Sequence, residues 1–450
     1  MQDKMSSADN KDIGNVQGRV IVTYGRSLIA LMIAQSLGRR GVEVIGCDSV
    51  DMTVLSFSKF VKKNHTLASP DRNPDKFLDD LEALVKYHKP DDGRPYILMS
   101  AFHDARLIAE NAERFDGLIT LACPDREMFN KVHPKDHFAR TAEDLGLNAP
   151  KTWLPEDQDQ LEKLTGDMDW PVLIKPPDQV GGRGISKHDD ADSLIHAYQN
   201  LRGEYPDQNI LVQQASKGQD YCYCALYDKG TRISSMVYTN LRKYPKETGA
   251  GVVRETVDKE RFDPIADELL RPLKWTGVVE IDFLWTGQKT DKPVMIEVNP
   301  RFWAGLDHSI KSGIDFPWQL YTLFTGDKEG LDQDAQTGFQ SSLPGLAFLA
   351  RLDELFDQSI DLDKIKDQWA DITAAFKKGE LGKAANMLNA AMKESMSFDE
   401  AASTLKYLME ESKKAGKISY AKDDPFIGLG ILFVLGSLIR YGELPPEIRH

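Results

Sequence analysis

Gly277 to Phe283 reads GVVEIDF and Met295 to Arg301 reads MIEVNPR, and these two stretches decide the fold. Each alternates apolar and polar residues with the period of a strand, so Glu280 and Asp282 share one face, as do Glu297 and Asn299. So short a connection makes the two runs sheet neighbours, with carboxylates and an amide set against one another. Such a group repels itself without a cation and suits Mg2+, which takes few protein oxygens and draws the rest from phosphate and water. Arg301, on that face or just past it, is placed to meet a phosphoryl oxygen or an acyl-phosphate oxyanion. The plain alternative is a solvated sheet face; Asn-Pro-Arg directly after Glu-Val argues against it.

Upstream, Pro171 to Lys175 (PVLIK) is an apolar strand ending in a lysine that must snorkel out or meet an anion. Val180 to Ile185 (VGGRGI) follows, and its glycines permit a loop to close over phosphates. Further strands are expected at Ile210 to Gln213, Tyr221 to Tyr227, Arg232 to Leu241 and Val294 to Val298. Helices are expected from Glu127 to Leu147 and near Asp192 to Arg202. Together these make a two-lobed α+β unit with largely antiparallel sheet.

Nearer the start, RVIVTY (Arg19 to Tyr24), Gly25, a helical run through Ala30, Ile33, Ala34 and Leu37, and VEVIGCD form a strand, helix, strand unit. With strands at Tyr96 to Met99 and Gly117 to Ala122 and a helix from Asp104 to Phe115, the reading is a small doubly wound α/β domain. Its single glycine turn is not a G-x-G-x-x-G fingerprint, so no dinucleotide is expected there. Past Gly326 the strands are expected to stop, and Pro344 to Leu355, Leu381 to Met392 and Phe398 to Ser412 are helical by spacing. The expected organisation is a flexible tail over 1–18, the α/β domain over 19–125, the two-lobed unit over 126–328 and a helical extension over 329–450.

Composition narrows the function. A formal charge of -14 over 450 residues argues against nucleic acid as a partner, because that affinity comes largely from Lys and Arg. Cys47, Cys123, Cys222 and Cys224 show neither metal-ligand spacing nor a disulfide framework, which fits a reducing cytoplasm. Nothing at the start reads as a secretory signal. The apolar run 425–439 would span only about 22 Å as a helix, short of a ~30 Å hydrocarbon core. It reads as a buried helix, with docking on a membrane surface or a partner as the alternative, which would make the protein peripheral to the membrane.

The order of pieces resembles the ATP-grasp superfamily: Lys135 before a helix and GLNAP, then VLIKP, the glycine-rich loop, LVQQASKGQDY, GVVEIDF and MIEVNPR. The resemblance covers roughly 19–326, and the passage EVNPRFWAGLDHSIKSGIDFPWQLY is most similar to carboxylate-amine ligases related to the carbamoyl-phosphate synthase large subunit. It implies a pre-ATP-grasp domain ahead of a two-lobed ATP-grasp domain with its hinge near 213–216. Lys135 and Lys175 would hold ATP phosphates, helped by Gly181, Gly182 and Gly184. Gln213, Gln214, Ala215 and Ser216 would contact adenine, and Asp220 the ribose. Asp282, Glu297 and Asn299 would bind Mg2+, or Mn2+ in its place, with Glu280 the alternative to Asp282. Lys175 and Arg301 would act catalytically, Arg301 on the transferred phosphoryl group. Two departures stand out: many relatives have Glu in the hinge where this chain has Gln213-Gln214, and Asp220 stands where Glu is commoner. ATP is therefore expected with GTP as the alternative.

The implied reaction is carboxylate attack on the γ-phosphate, giving acyl phosphate and ADP, then displacement of phosphate by an amine. The carboxylate and the amine are the small-molecule partners, and a second copy of the chain in a dimer is expected. Candidate substrate residues are His103 and Asp104 at a strand's carboxyl end, Arg254 in the basic stretch 238–255 read as a loop, and Trp303 as a pocket wall. Their plain readings are helix capping by Asp104, solvated charge and aromatic core. Competing functions are a bicarbonate-dependent carboxylase, for which no biotin-attachment motif is seen, and a nucleotide-binding scaffold without catalysis.

Overall fold

The computed structural model describes residues 18–50, 53–176, 184–206, 208–244, 250–326, 331 and 333–342. The expected helices beyond Pro344, the apolar run 425–439, Gly181 and Gly182 lie outside the described residues.

The chain opens with β1 (Arg19–Val22), α1 (Leu28–Gly38), β2 (Glu43–Asp48), β3 (Val61–Thr66), α2 (Pro74–Tyr87), β4 (Tyr96–Met99), α3 (Asp104–Glu110) and β5 (Thr120–Leu121). The strands form one parallel sheet in the order β3-β2-β1-β4-β5. Alternation along β1 sends Val20 and Val22 to the α1 side and Ile21 to the other, where α2 buries Phe77, Leu78, Leu81, Leu84 and Val85. Sequence reading missed β3, whose VKKNHT is largely open to solvent, as an edge strand often is. The single helix expected over Glu127 to Leu147 is two, α4 (Arg126–Val132) and α5 (Lys135–Asp144), because Pro134 cannot continue a helix.

A four-stranded antiparallel sheet follows, ordered β6-β9-β7-β8, from β6 (Thr152–Trp153), β7 (Val172–Lys175), β8 (Ser186–His188) and β9 (Leu211–Gln214). It carries α6 (Gln158–Leu164) and α7 (Ala191–Glu204), which with the strands enclose a core of Trp153, Leu161, Val172, Ile174, Leu194, Tyr198 and Val212.

The larger sheet comprises β10 (Gln219–Asp228), β11 (Thr231–Tyr244), β12 (Ala250–Val257), β13 (Gly277–Trp285) and β14 (Val294–Asn299), with α8 (Asp263–Leu270) between β12 and β13. After α9 (Leu306–Ser312) and α10 (Phe316–Thr325) comes β15 (Gln340–Ser342), giving the antiparallel order β14-β13-β10-β11-β12-β15. Two expectations are corrected here. Much of the stretch read as a loop over 238–255 is strand, with Asn240 opposite Arg254, and strands do not stop at Gly326, since β15 pairs with β12.

Alternation divides this sheet. Tyr221, Tyr223, Val279, Ile281 and Phe283 pack on α5 and α8, whereas Cys222, Cys224, Met236, Tyr238 and Val278 face the other way. That second face joins α1, Leu306, Phe316 and Leu320 in one apolar cluster, so the parallel sheet's α1 layer and the large sheet share a core.

Candidate functional site

Strand register builds the acidic face. Across β13 and β14, Glu280 lies opposite Asn299 and Asp282 opposite Glu297, as the alternation required. Across β10 and β13, Cys222 lies opposite Asp282 and Cys224 opposite Glu280. Asn299 Nδ2 reaches Asp282 Oδ2 at 3.4 Å, and Tyr238 donates its hydroxyl to Glu280 Oε1 at 3.2 Å. Burial raises the Asp282 carboxyl well above the usual range, reinforced by the charges of Glu280 and Glu297. Burial likewise raises Glu280, with Arg301 opposing.

Glu297 behaves differently. Burial works against its charge, yet Lys135, then Lys175 and Arg301, hold it below the ordinary value. Lys135 Nζ stands 3.1 Å from Glu297 Oε1. It is the first residue of α5, so the break at Pro134 that divides the expected helix also delivers this lysine. Lys175 ends β7, 8% exposed, and burial brings its ammonium down to about 8, Glu297 partly offsetting and Lys135 adding to the fall.

Arg301 donates to Asn299 Oδ1 and to the Phe302 carbonyl, each at 3.0 Å. Its guanidinium also lies 4.5 Å from the Phe102 ring centroid, and Phe102 stacks on Tyr24 at 5.2 Å. Sequence reading missed both aromatics; the clue was that Tyr24 and Phe102 each follow the carboxyl end of a parallel strand, where ligands gather in open α/β sheets. Tyr24 has φ of +58°, rare for a bulky residue, so the fold holds it in a strained backbone state.

The neighbouring candidates divide. His103 caps α3 with its ring against Tyr24 and Phe102 and Nε2 3.2 Å from Asp71, near the same edge. Asp104 turns inward, 2% exposed, accepting from Ser100 Oγ at 2.7 Å; it is not the cap. Trp303 is fully buried, donates to Ser309 Oγ and meets Phe316 edge-on, so it is core and not a pocket wall. Arg254 is buried on β12 with its guanidinium 5.8 Å from the Tyr238 ring.

Between the two antiparallel sheets, Gln214 ends β9, Gln219 begins β10, and Ala215 and Ser216 lie in the connection. Gln213 donates to Thr152 Oγ1 at 2.9 Å, and Gln214 to the Pro171 carbonyl at 3.2 Å, so both side chains are tied into the smaller sheet. Asp220 is ion-paired with Lys243. Gly184 has φ of +69°, a conformation suited to glycine.

The donor set fits a hard divalent ion. Asp282, Glu297, Asn299 and Glu280 present oxygen, and two raised carboxyls mark negative charge that the protein leaves unbalanced. Cys222, Glu280 and Asp282 each bring a donor atom within 4.8 Å of the others. Burial keeps the Cys222 thiol protonated, so the oxygens remain the ligands available.

Residues 132–305 match the family model described as an ATP-grasp domain. Among curated proteins it is related to the carbamoyl phosphate synthase large chain, C-terminal section, of Methanopyrus kandleri, 19% identical over 187 residues, 39% of this chain and 34% of the relative. The chain spans about a third or less of the curated relatives it matches. Among solved structures it is similar to biotin carboxylase from Campylobacter jejuni, with a TM-score of 0.57 and 15% identity over 70% of this chain and 72% of that one. L-amino acid ligase from Bacillus licheniformis gives 0.51 and 17% over 71% and 75%. Among the described residues no helix is long and apolar enough to cross a membrane.

Proposed function

We propose that the protein is an ATP-dependent ligase that activates a carboxylate as an acyl phosphate and couples it to an amine. The observation that carries this is the meeting of Lys135 from α5, Lys175 from β7 and the Asp282–Glu297 pair at one place. Two cations beside a half-buried acidic pair form a site that meets the charges of a polyphosphate and of a divalent ion together.

Asp282, Glu297 and Asn299 would hold Mg2+, or Mn2+ in its place, which when bound neutralises phosphate charge. Lys135 and Lys175 bind the phosphates. Gln213 to Ser216 line the adenine and Asp220 takes the ribose, releasing Lys243. The substrate carboxylate oxygen attacks the γ-phosphorus, the bond to the bridging oxygen breaks, and ADP leaves. Arg301, its plane fixed by Asn299 and Phe102, stabilises charge on the transferred phosphoryl group. The amine nitrogen then bonds to the acyl carbon, phosphate departs with the C–O electron pair, and the nitrogen gives up a proton. Four free cysteines accord with a reducing cytoplasm, and a dimer is the proposed assembly.

The test is product analysis with Mg-ATP and a panel of small carboxylates, bicarbonate included, with and without amines. ADP and phosphate that appear only with a carboxylate and amine pair, and vanish in Glu297→Gln, support the ligase. Turnover with bicarbonate alone points to a carboxylase, and AMP with pyrophosphate overturns the acyl-phosphate route.

A further inference from the structure

Arg301 is half-buried beside three acids. Burial works against its charge, and Glu280, Glu297 and Asp282 favour it. Yet among the described residues it forms no ion pair, and Glu297 is paired with Lys135 instead. Its polar partners are neutral, the Asn299 Oδ1 and the Phe302 carbonyl. A single amide parts it from Asp282, since Asn299 accepts from Arg301 through Oδ1 and faces Asp282 Oδ2 through Nδ2 at 3.4 Å.

What holds the guanidinium back is an aromatic face, the Phe102 ring at 4.5 Å. That ring is itself backed. It stacks on Tyr24 at 5.2 Å and 25°, the His103 ring meets it edge-on at 5.0 Å, and Arg26, tied to Asp48, lies 5.1 Å from the Tyr24 ring. Phe102 belongs to the apolar cluster around α1, but unlike an ordinary core residue it also meets a cation. A ring attracts a cation through its quadrupole and carries no net charge, so it holds Arg301 without cancelling it. A carboxylate does both, and in a site shielded from water its pull is the stronger. An Arg301–Asp282 or Arg301–Glu280 pair would use up the charge that serves a phosphoryl group and the oxygens that serve a divalent ion.

We propose that Phe102, backed by Tyr24, is a positioning residue that keeps Arg301 off the acidic face, leaving both the arginine and the carboxylates available to ligands. This rests on the reading of Asp282, Glu297 and Asn299 as the metal's ligands. It gives the α/β domain a part in the site, although Lys135, Lys175, Asp282, Glu297 and Arg301 all lie beyond that domain in the chain.

The experiment is calorimetry of ADP binding to the full chain in Mn2+ and in EDTA, the ratio of the two affinities being the gain the metal confers. In Phe102→Leu this gain should fall by about tenfold or more, the usual scale for a residue that orients a metal's ligands. ADP affinity in EDTA should hold or rise, because the collapsed arginine offsets acids that repel the nucleotide; general damage to the site would lower it. Phe102→Tyr keeps the ring face and should keep the gain within about threefold. In an Arg301→Met background, Phe102→Leu should change the gain by less than about twofold, since no guanidinium is left to move. Phe102→Met, unbranched and able to fill the space, covers any failure of the Leu variant to fold. A crystal structure of either ring-deleted variant without ligands should show an Arg301 nitrogen within about 4 Å of a Glu280 or Asp282 oxygen.

The proposal is overturned if Arg301 keeps its place against Asn299 in that structure, if the gain survives loss of the ring, or if Phe102→Leu weakens the metal equally with Arg301 and without it. Should Mn2+ confer no gain on the parent, the metal reading fails by itself, and the place of Arg301 in the variant structure still decides the proposal.

Discussion

Asp48, at the carboxyl end of β2, is a buried carboxylate and Asp282, on β13, a half-buried one, and the protein treats them in opposite ways. Asp48 accepts from the Arg26 backbone at 2.7 Å and from Arg26 Nε at 2.9 Å, while Arg26 itself lies over the Tyr24 ring. Its charge is matched within the fold. Asp282 has Asn299 at 3.4 Å and two further carboxylates nearby, and its proton affinity is raised accordingly. Burial alone therefore does not mark a working acid; burial with the balancing charge left out does. The matched acid locks the turn after β1, where a nucleotide would sit in a dinucleotide fold, and the unmatched one waits for charge brought from outside.

Catalysis should break the comparison most sharply. Glu297→Gln should cut carboxylate-dependent ADP formation by about 10²- to 10³-fold, while Asp48→Asn leaves the turnover number within about threefold; steady-state ADP release measures both. Arg301→Lys should follow with a loss on the order of 10²-fold in kcat and little change in KM for ATP, since Lys cannot reproduce the planar fork. Stability should then separate the acids by sign. Asp48→Asn should destabilise by about 2 kcal/mol, whereas Asp282→Asn should stabilise the ligand-free protein by about 1 kcal/mol, read from denaturant midpoints at constant slope.

The smallest effect concerns pH. The Lys175 ammonium sits at about 8 in the folded chain and near its ordinary value when unfolded, so between those limits the unfolded state holds more protons. Its contribution to stability is therefore present above the unfolded value and lost as pH falls through about 8. Phosphate binding needs the charged form and runs the other way: ATP affinity should weaken severalfold as pH climbs past about 8, with uptake of up to about one proton on binding. Lys175→Arg should flatten this dependence in calorimetry across buffers of different ionisation enthalpy.

The acidic pair was legible from sequence because two strands with a short connection alternate cleanly, and register then follows from alternation. Less was legible where polar residues occupy strands. VKKNHT in β3 carries no apolar stripe, as suits an edge, and in β12 (AGVVRETV) the adjacent Val252 and Val253 break the alternation that would mark a strand. QSS in β15 is too short to show any period. Trp303 looked available because aromatics beside a metal strand often wall a pocket, but its depth depends on α9 and α10, far from what local pattern reports. The Phe102–Arg301 contact joins residues almost two hundred positions apart, and no local pattern encodes it. Lys135 was placed by the resemblance rather than by spacing, and its ion pair with Glu297 is a fact of the fold.

The core of the small antiparallel sheet is enclosed by its own strands and by α6 and α7, whereas the parallel sheet's α1 layer and the large sheet share one apolar cluster. The small sheet thus has a core of its own, with the chain entering it between α5 and β6 and leaving it through 215–218. Amide hydrogens of β7 and β9 should exchange through sub-global opening at a lower free energy than those of β10 and β13, and nucleotide, by bridging Lys175 to Glu297, should slow the former most.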